Sequence, residues 1–280
     1  MSGVRIVTDS ACDLTRAEVE QHRVAIVPLT IRFGDREYVD VTELTPEDFY
    51  AEMARSEVLP ETAAPSPGAF DATFRRLADE GASSIVCINL SGELSATGQS
   101  ARSAANALEG TVDVRVVDSR SITAGLATIV LDACRAAEAG ASADEIVEGC
   151  GELSERIHVF GVLDTLDNLK KGGRIGGAQA LLGTMLSIKP IVDLSSGAVV
   201  EAGRQRTRRK ALSWLHDKLA DAGDVEQITV MHAMAPDVDE FIASLADIVN
   251  TDDLRVGTIG PVIGSHAGPR VIGLTWVARP

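Results

Sequence analysis

The stretch that most constrains this chain is residues 85–101, Ile-Val-Cys-Ile-Asn-Leu-Ser-Gly-Glu-Leu-Ser-Ala-Thr-Gly-Gln-Ser-Ala. It begins as a continuous apolar run of strand length, the pattern of a strand buried on both faces. Ser91-Gly92 breaks the run, and the spacing predicts a helix of small residues opening at Ser95. Serine is a good N-cap, and the first turn beyond a cap offers unpaired backbone N–H groups and the positive end of a helix dipole. Ser91, Ser95 and Thr97 add hydroxyls there, so the corner suits an anion, carboxylate or phosphate. The simpler alternative is that Ser95 only caps its helix.

The same rhythm of strand and helix extends to both sides. Residues 4–8 read as a buried strand ending in Asp9-Ser10, and Thr15-x-x-Glu18 is a capping box opening a short helix. Residues 24–31 read as the next strand. Thr45-Pro46 opens a helix with proline at its first position, and Ser66 opens another with Phe70, Phe74 and Leu77 as its apolar face. After a strand at 112–117, Ser121 precedes a long helix with Ile122, Leu126, Ile129, Val130 and Ala133 on one face and Gly140 at its end. Ser142-x-x-Glu145 is a further capping box. Such alternation gives a mainly parallel sheet flanked by helices.

Beyond residue 157 the rhythm changes. A strand at 159–163 leads to a glycine-rich segment and then an apolar helix through Ala180, Leu181, Leu182, Met185 and Leu186. Residues 191–194 and 198–201 read as a hairpin. Strands follow at 228–231, 256–259 and 271–277, with a helix from Pro236 to about Asn250. The expectation is an α/β chain of two domains: 1–157 with a mainly parallel sheet, and 158–280 with a mixed sheet and helices.

Lys and Arg number 26 against 41 Asp and Glu, a net charge of −15, which argues against nucleic acid or an anionic membrane surface as partner. Cys12, Cys87, Cys134 and Cys150 lie far apart, without histidines at ligand spacing, so they read as reduced thiols of a cytoplasmic protein with no metal site. No apolar run is long enough to span a bilayer, and the chain enters its first strand without a leader. The absence of G-x-S-x-G, P-loop and G-x-G-x-x-G motifs removes most serine hydrolases, P-loop NTPases and dinucleotide enzymes.

What remains is a small set of polar residues in conspicuous settings. Asp9, Ser10 and Asp13 follow a strand, where open α/β sheets place ligands, or they simply make the turn. Thr62 lies in an extended loop. Arg174 stands among Gly172, Gly173, Gly176 and Gly177, and His266 among glycines and prolines with no evident core face. Arg204, Arg206, Arg208, Arg209 and Lys210 form a basic cluster near a helix start. Most such charge runs are simply a solvated face; the alternative, because arginines there oppose the dipole, is a specific acidic or phosphorylated partner.

Taken in order, these motifs resemble the DegV family of fatty-acid-binding proteins, which present fatty acids to a bacterial fatty acid kinase. The likeness runs through Thr8-Asp9-Ser10 with Asp13-Leu14, the 62–65 loop, residues 90–101 and Asp118-Ser119. It continues through Lys171-Gly172-Gly173-Arg174-Ile175, Ile188-Lys189-Pro190-Ile191 and residues 260–268. The resemblance implies a carboxylate held at the junction of two α/β domains, with its chain in an apolar tunnel. Thr62 and Ser95, beside Ser91, match the hydroxyls that bind the carboxylate, and Arg174 and His266 match basic residues near it. It implies a carrier without cofactor and not an enzyme, with Arg204, Arg206, Arg208 and Arg209 as docking surface for the kinase. Thr62-Ala63-Ala64-Pro65 departs from the family's Thr-Ser-Gln-Pro, and Leu94-Ser95-Ala96-Thr97-Gly98-Gln99 from its Leu-Ser-Gly-Thr-Tyr-Gln. The alternative is a phosphotransfer enzyme or subunit related to the dihydroxyacetone kinase substrate domain, using His266 or His232. A protein that only regulates through protein contacts is a third reading.

Overall fold

The computed structural model describes residues 3–181 and 188–280. From β1 (Val4–Asp9) the chain makes one 3-10 turn, then α1 (Arg16–His22), which opens on the reciprocal Thr15–Glu18 capping box. β2 (Ala25–Val27) lies beside β1, and β3 (Thr30–Phe33) and β4 (Arg36–Val39) form a hairpin. Next come α2 (Pro46–Arg55), β5 (Glu61–Ala63), α3 (Pro67–Asp79), β6 (Ser84–Asn89), α4 (Thr97–Ala107) and β7 (Val114–Asp118). Two long helices, α5 (Thr123–Glu138) and α6 (Ala143–Arg156), lead to β8 (Ile157–Val162) and the short α7 (Asp167–Lys171). The rest comprises β9 (Lys189–Asp193), β10 (Val200–Gln205), α8 (Arg208–Ala220), β11 (Val225–His232) and α9 (Val238–Ser244). β12 (Arg255–Thr258), α10 (Pro261–Ala267) and β13 (Ile272–Ala278) complete the chain.

β2-β1-β6-β7 form an all-parallel sheet, and β10-β9-β8-β13-β11-β12 a mixed one that begins at β8. A small antiparallel sheet, β4-β3-β5, stands apart from both. The two large sheets are stacked with helices between them. Leu126, Ile129 and Val130 of α5 pack with Ile6, Val86 and Ile88 of the parallel sheet and with Val159, Met231 and Val277 of the mixed one. The parallel sheet's other face carries Val7, Ile85 and Cys87 against Phe70, Phe74 and Leu77 of α3 and Ala101 and Ala104 of α4. On the mixed sheet's outer face, Phe160, Leu274 and Trp276 pack with Ala211, Leu215 and Leu219 of α8 and Phe241 of α9. The result is five layers, helix–sheet–helix–sheet–helix.

The middle layer explains the composition of α5. Every residue from 123 to 130 is buried, so the helix has no solvent face along that stretch. Close approach requires small residues: a Cβ on Gly125 would lie 3.0 Å from Val159 Cγ2 and 3.2 Å from Ile157 Cγ2. Only part of this burial follows from the apolar face read in the sequence, because Ala124, Ala127 and Thr128 fill the opposite side.

Four expectations need correction. Residues 24–31 are not one strand. Pro28 has no N–H to continue the ladder, the Leu29 N–H goes to Ser10 Oγ (3.1 Å), and β3 then joins the small sheet. The helix expected to end near Asn250 stops at Ser244, and two 3-10 turns, Leu245–Asp247 and Thr251–Asp253, follow it. Of the helix expected through 180–186, Ala180 and Leu181 end a 3-10 helix (Gly176–Leu181), whereas Leu182, Met185 and Leu186 lie outside the described residues. Finally, residues 261–267 form α10, with Gly260 at its N-cap and Pro261 in its first turn.

Replacing Gly125 by leucine is expected to push α5 off β8 and to destabilise the fold by about 1–3 kcal/mol, the usual cost of overpacking. Urea denaturation measures it: the midpoint should fall with little change in slope, and an unchanged midpoint would contradict the tight contact.

Candidate functional site

Along the central strands of the mixed sheet, alternate residues face the buried helices. On β8 these are Val159 and Gly161, with Phe160 and Val162 turned to the outer face. On β13 they are Gly273 and Thr275, with Ile272, Leu274 and Trp276 turned outward. Gly161 and Gly273 are direct cross-strand partners, so two neighbouring inward positions carry no side chain. The space opens into a cavity with about 910 Å³ of empty space, its open mouth included. Its walls are mostly aliphatic: Leu29, Leu90, Leu94, Ile122, Val192, Leu194, Met231, Ile259, Val262 and Ile263.

Thr62, Ser95, Arg174 and His266 also line this cavity, and contacts link them into one group. Thr62, the middle residue of β5, bonds His266 Nε2 through Oγ1 at 2.8 Å. Contrary to expectation, His266 sits on a helix, in the last turn of α10, and its ring is largely enclosed. Burial, reinforced by the Arg174 charge, lowers its pKa to about 4, so the imidazole is neutral at physiological pH. Nδ1 is buried without a hydrogen-bond partner among the described residues. The arrangement favours the tautomer in which Nε2–H donates to Thr62 Oγ1, because an unpaired buried acceptor is tolerated better than an unpaired N–H. The Thr62 O–H is then free to donate to a ligand.

The ring is seated by an absence. A Cβ at Gly172 would lie 2.2 Å from His266 Nδ1 and 2.9 Å from Cε1. Arg174 is anchored on the same segment: Nη1 donates to Gly172 O (2.6 Å) and Nε to Leu94 O (3.1 Å), leaving further N–H groups uncommitted. The second bond brings Arg174 beside Ser95. Asn168 of α7 donates to Ser265 O of α10 (3.2 Å), tying together the segments that bear Arg174 and His266.

Ser95 is not the helix cap that the sequence suggested. α4 begins at Thr97 with Ala96 at the N-cap, and Ser95 Oγ bonds Thr97 Oγ1 (2.9 Å) and accepts from Thr97 N (3.3 Å). Its hydroxyl stands at the first turn, on the cavity wall. Ser91 is a tether and not a cavity residue: its Oγ donates to Gly197 O (2.6 Å) and accepts from Glu93 N.

Asp9, Ser10 and Asp13 make the turn and stay out of the cavity wall. Asp9 accepts from Ala11 N, Asn89 Nδ2 and Leu90 N, joining the ends of β1 and β6, and burial raises its pKa to about 6. Burial likewise raises Asp13 to about 7, against the pull of Thr123, the Gly260 backbone and Arg255. His232 ends β11 and is not among the cavity residues.

The basic cluster divides. Arg208 is turned inward, paired through Nε and Nη2 with Asp237 (2.5 and 2.8 Å) and near Asp164, so it is not available for docking. These carboxylates also offset the unfavourable position of its charge at the start of α8. Arg204 stands on β10, an edge strand, Arg206 in the bend that follows it and Arg209 on α8, all exposed.

Thr62, Arg174 and His266 border a second, polar pocket at the surface, shared with Lys171, Asn168 and Glu61. They therefore partition an apolar interior from water. No group of three or more metal-ligating side chains occurs among the described residues, and no described helix is long and apolar enough to cross a membrane. Sequence reasoning named Gly172 only as a flexible neighbour of Arg174, and it missed Asn168 and the paired Gly161 and Gly273. Glycines signal only freedom, not what they make room for.

Gly172→Ala tests the seat of the histidine. Gly172 has φ −72°, which alanine adopts freely, so any effect reports the contact. The ring should be displaced, break its bond to Thr62 and titrate closer to its ordinary value. NMR of the His266 imidazole measures this, and unchanged signals would refute the packing.

Comparison with known proteins gives a single answer. The family profile described as "Uncharacterised protein, DegV family COG1307" matches residues 3–279. A DegV domain-containing protein of Streptomyces coelicolor is 38% identical over 280 residues, 99% of each chain. Among solved structures, a DegV family protein from Thermus thermophilus, described by its fatty acid binding, is 33% identical, with TM-score 0.89 over 99% of each chain. A fatty-acid-binding DegV family protein from Streptococcus agalactiae has TM-score 0.91 at 26% identity over 100% of each chain. A stearic-acid-binding protein from Eubacterium ventriosum has TM-score 0.87 at 28% identity, covering 99% of this chain and 98% of that one.

Proposed function

Because this chain belongs to the DegV family, we propose that it is a carrier that buries a long-chain fatty acid in the cavity and holds its carboxylate at the mouth. The observation that carries this reading is the cavity itself, mostly aliphatic and bordered by one linked group of donors. A carboxylate accepts hydrogen bonds only, and this group offers the hydroxyls of Thr62 and Ser95 and the uncommitted N–H groups of Arg174. Solved relatives described as fatty-acid-binding support the same reading.

Burial supplies the retention. About fifteen methylenes at ~0.8 kcal/mol each give on the order of 10 kcal/mol before association costs. The head-group residues then set position and presentation. The carboxylate, at the partition between cavity and surface pocket, stays reachable from outside while the chain is enclosed. That geometry suits presentation to a separate fatty acid kinase, with this chain contributing no phosphoryl chemistry of its own. Arg174, and His266 as a neutral donor or acceptor, would stabilise charge added at the carboxylate. Arg204, Arg206 and Arg209 form the exposed surface on which an acidic kinase face would dock. A small polar ketone, as the dihydroxyacetone kinase reading requires, would meet aliphatic walls.

Thr62→Ala and Ser95→Ala should each weaken binding of a fatty acid by about 1–2 kcal/mol, the loss of a charge-assisted hydrogen bond. Titration with the acid and with its methyl ester checks this, because a variant that loses both equally is not reading the carboxylate. Delipidated protein that gives no saturable binding of any long-chain acid would end the carrier reading. Charge reversal at Arg206 and Arg209 should weaken association with a cognate kinase and leave lipid content unchanged. Unimpaired association in a pull-down would remove this surface from the docking role.

A further inference from the structure

Two hydroxyls interrupt the aliphatic wall apart from the head-group cluster. Thr275 is 2% exposed, faces the cavity from β13, and makes no hydrogen bond through its hydroxyl with the described residues. Thr123, the first residue of α5, is 5% exposed and lines the same cavity. Its Oγ1 lies near the Asp13 carboxyl but has no hydrogen-bond partner of good geometry. In a wall built for an alkyl chain alone, valine would occupy either place without an unpaired polar atom, and such atoms call for an explanation.

Register locates Thr275. β13 starts at Ile272, opposite Val162, and these residues lead to His266 on one side and to the Arg174 segment on the other. Thr275 is three residues further on, roughly 10 Å deeper at the usual rise of a strand. Its cross-strand partners are Thr229 on β11 and Val159 on β8, and Gly125 packs against Val159, so the start of α5 lies over this part of the sheet.

We propose that Thr275, aided by Thr123, forms a second polar subsite along the cavity that pairs with a hydroxyl carried on the ligand's chain, giving a preference for hydroxylated long-chain fatty acids. The subsite rests on the fatty acid reading and adds a chemical class to it. The threonine hydroxyl both donates and accepts, so it matches an alcohol in either sense, whereas a plain methylene leaves it unpaired.

The experiment compares stearic acid, 10-hydroxystearic acid and 12-hydroxystearic acid on delipidated wild-type protein, Thr275→Val and Thr275→Ser. One hydroxylated acid is expected to bind about fivefold tighter than stearic acid to the wild type, as one net hydrogen bond provides. Thr275→Val, nearly isosteric, should tighten stearic acid and weaken the hydroxylated one, while Thr275→Ser retains the preference. Equal or weaker binding of both hydroxylated acids to the wild type overturns the subsite, as does a ratio unaffected by Thr275→Val. In both cases stearic acid still binds and the carrier reading stands. Failure of all three acids to bind would overturn both.

Discussion

A helical stretch buried on every side must satisfy all its neighbours at once, and residues 123–130 of α5 meet that demand between the two large sheets. Its buried residues are mostly Ala, Gly, Thr, Leu, Ile and Val, sizes that let β8 approach closely at Gly125 while filling the space on the parallel-sheet side. The separation of the sheets follows from this layer, and so does the space beside it. Where α5 begins, at Thr123, the wall of the cavity also begins. Anything that changed the thickness of the middle layer would change the cavity with it.

The polar cluster at the cavity mouth depends on the same stacking. Thr62 comes from the small antiparallel sheet, Ser95 from the loop before α4, Arg174 from the segment after α7, and His266 from α10. They are distant in sequence and meet only when the parallel-sheet half, the mixed-sheet half and the small sheet are all in place. Ser91 bonded to Gly197 and Tyr50 bonded to Ile259 O are among the ties that hold these parts in register. Site and tertiary structure are thus formed together, and a neutral histidine is a product of that enclosure.

Local signals were the most legible in the sequence. Thr15 and Ser142 act as capping boxes, Ser66 caps α3, and Phe70, Phe74 and Leu77 are fully buried, because caps and wide apolar faces depend on neighbours a turn away. The all-round burial of residues 123–130 of α5 was hidden, since alanine, glycine and threonine carry little hydrophobic contrast. α10 was hidden as well, because a proline in the first turn and glycines around it read as loop. Arg208 could not be told from Arg206 or Arg209, as its partners Asp237 and Asp164 arrive from elsewhere in the chain. The four head-group positions stood out through motif resemblance, whereas their linkage through Gly172 and Asn168 is tertiary.

The facing glycines of β8 and β13 have a consequence for how this cavity can diversify. A hollow made by two missing side chains sits in a rigid, hydrogen-bonded part of the sheet, where the backbone has little freedom to move. A Cβ built at either position meets nothing closer than 3.5 Å, so the surroundings would accept a larger residue without rebuilding. Changes at these two codons therefore act as a ruler: each added methyl group shortens or bends the path available to a guest, and the fold pays no attention. Relatives could come to enclose differently shaped spaces by such steps while every contact within the polar cluster at the mouth stays as it is.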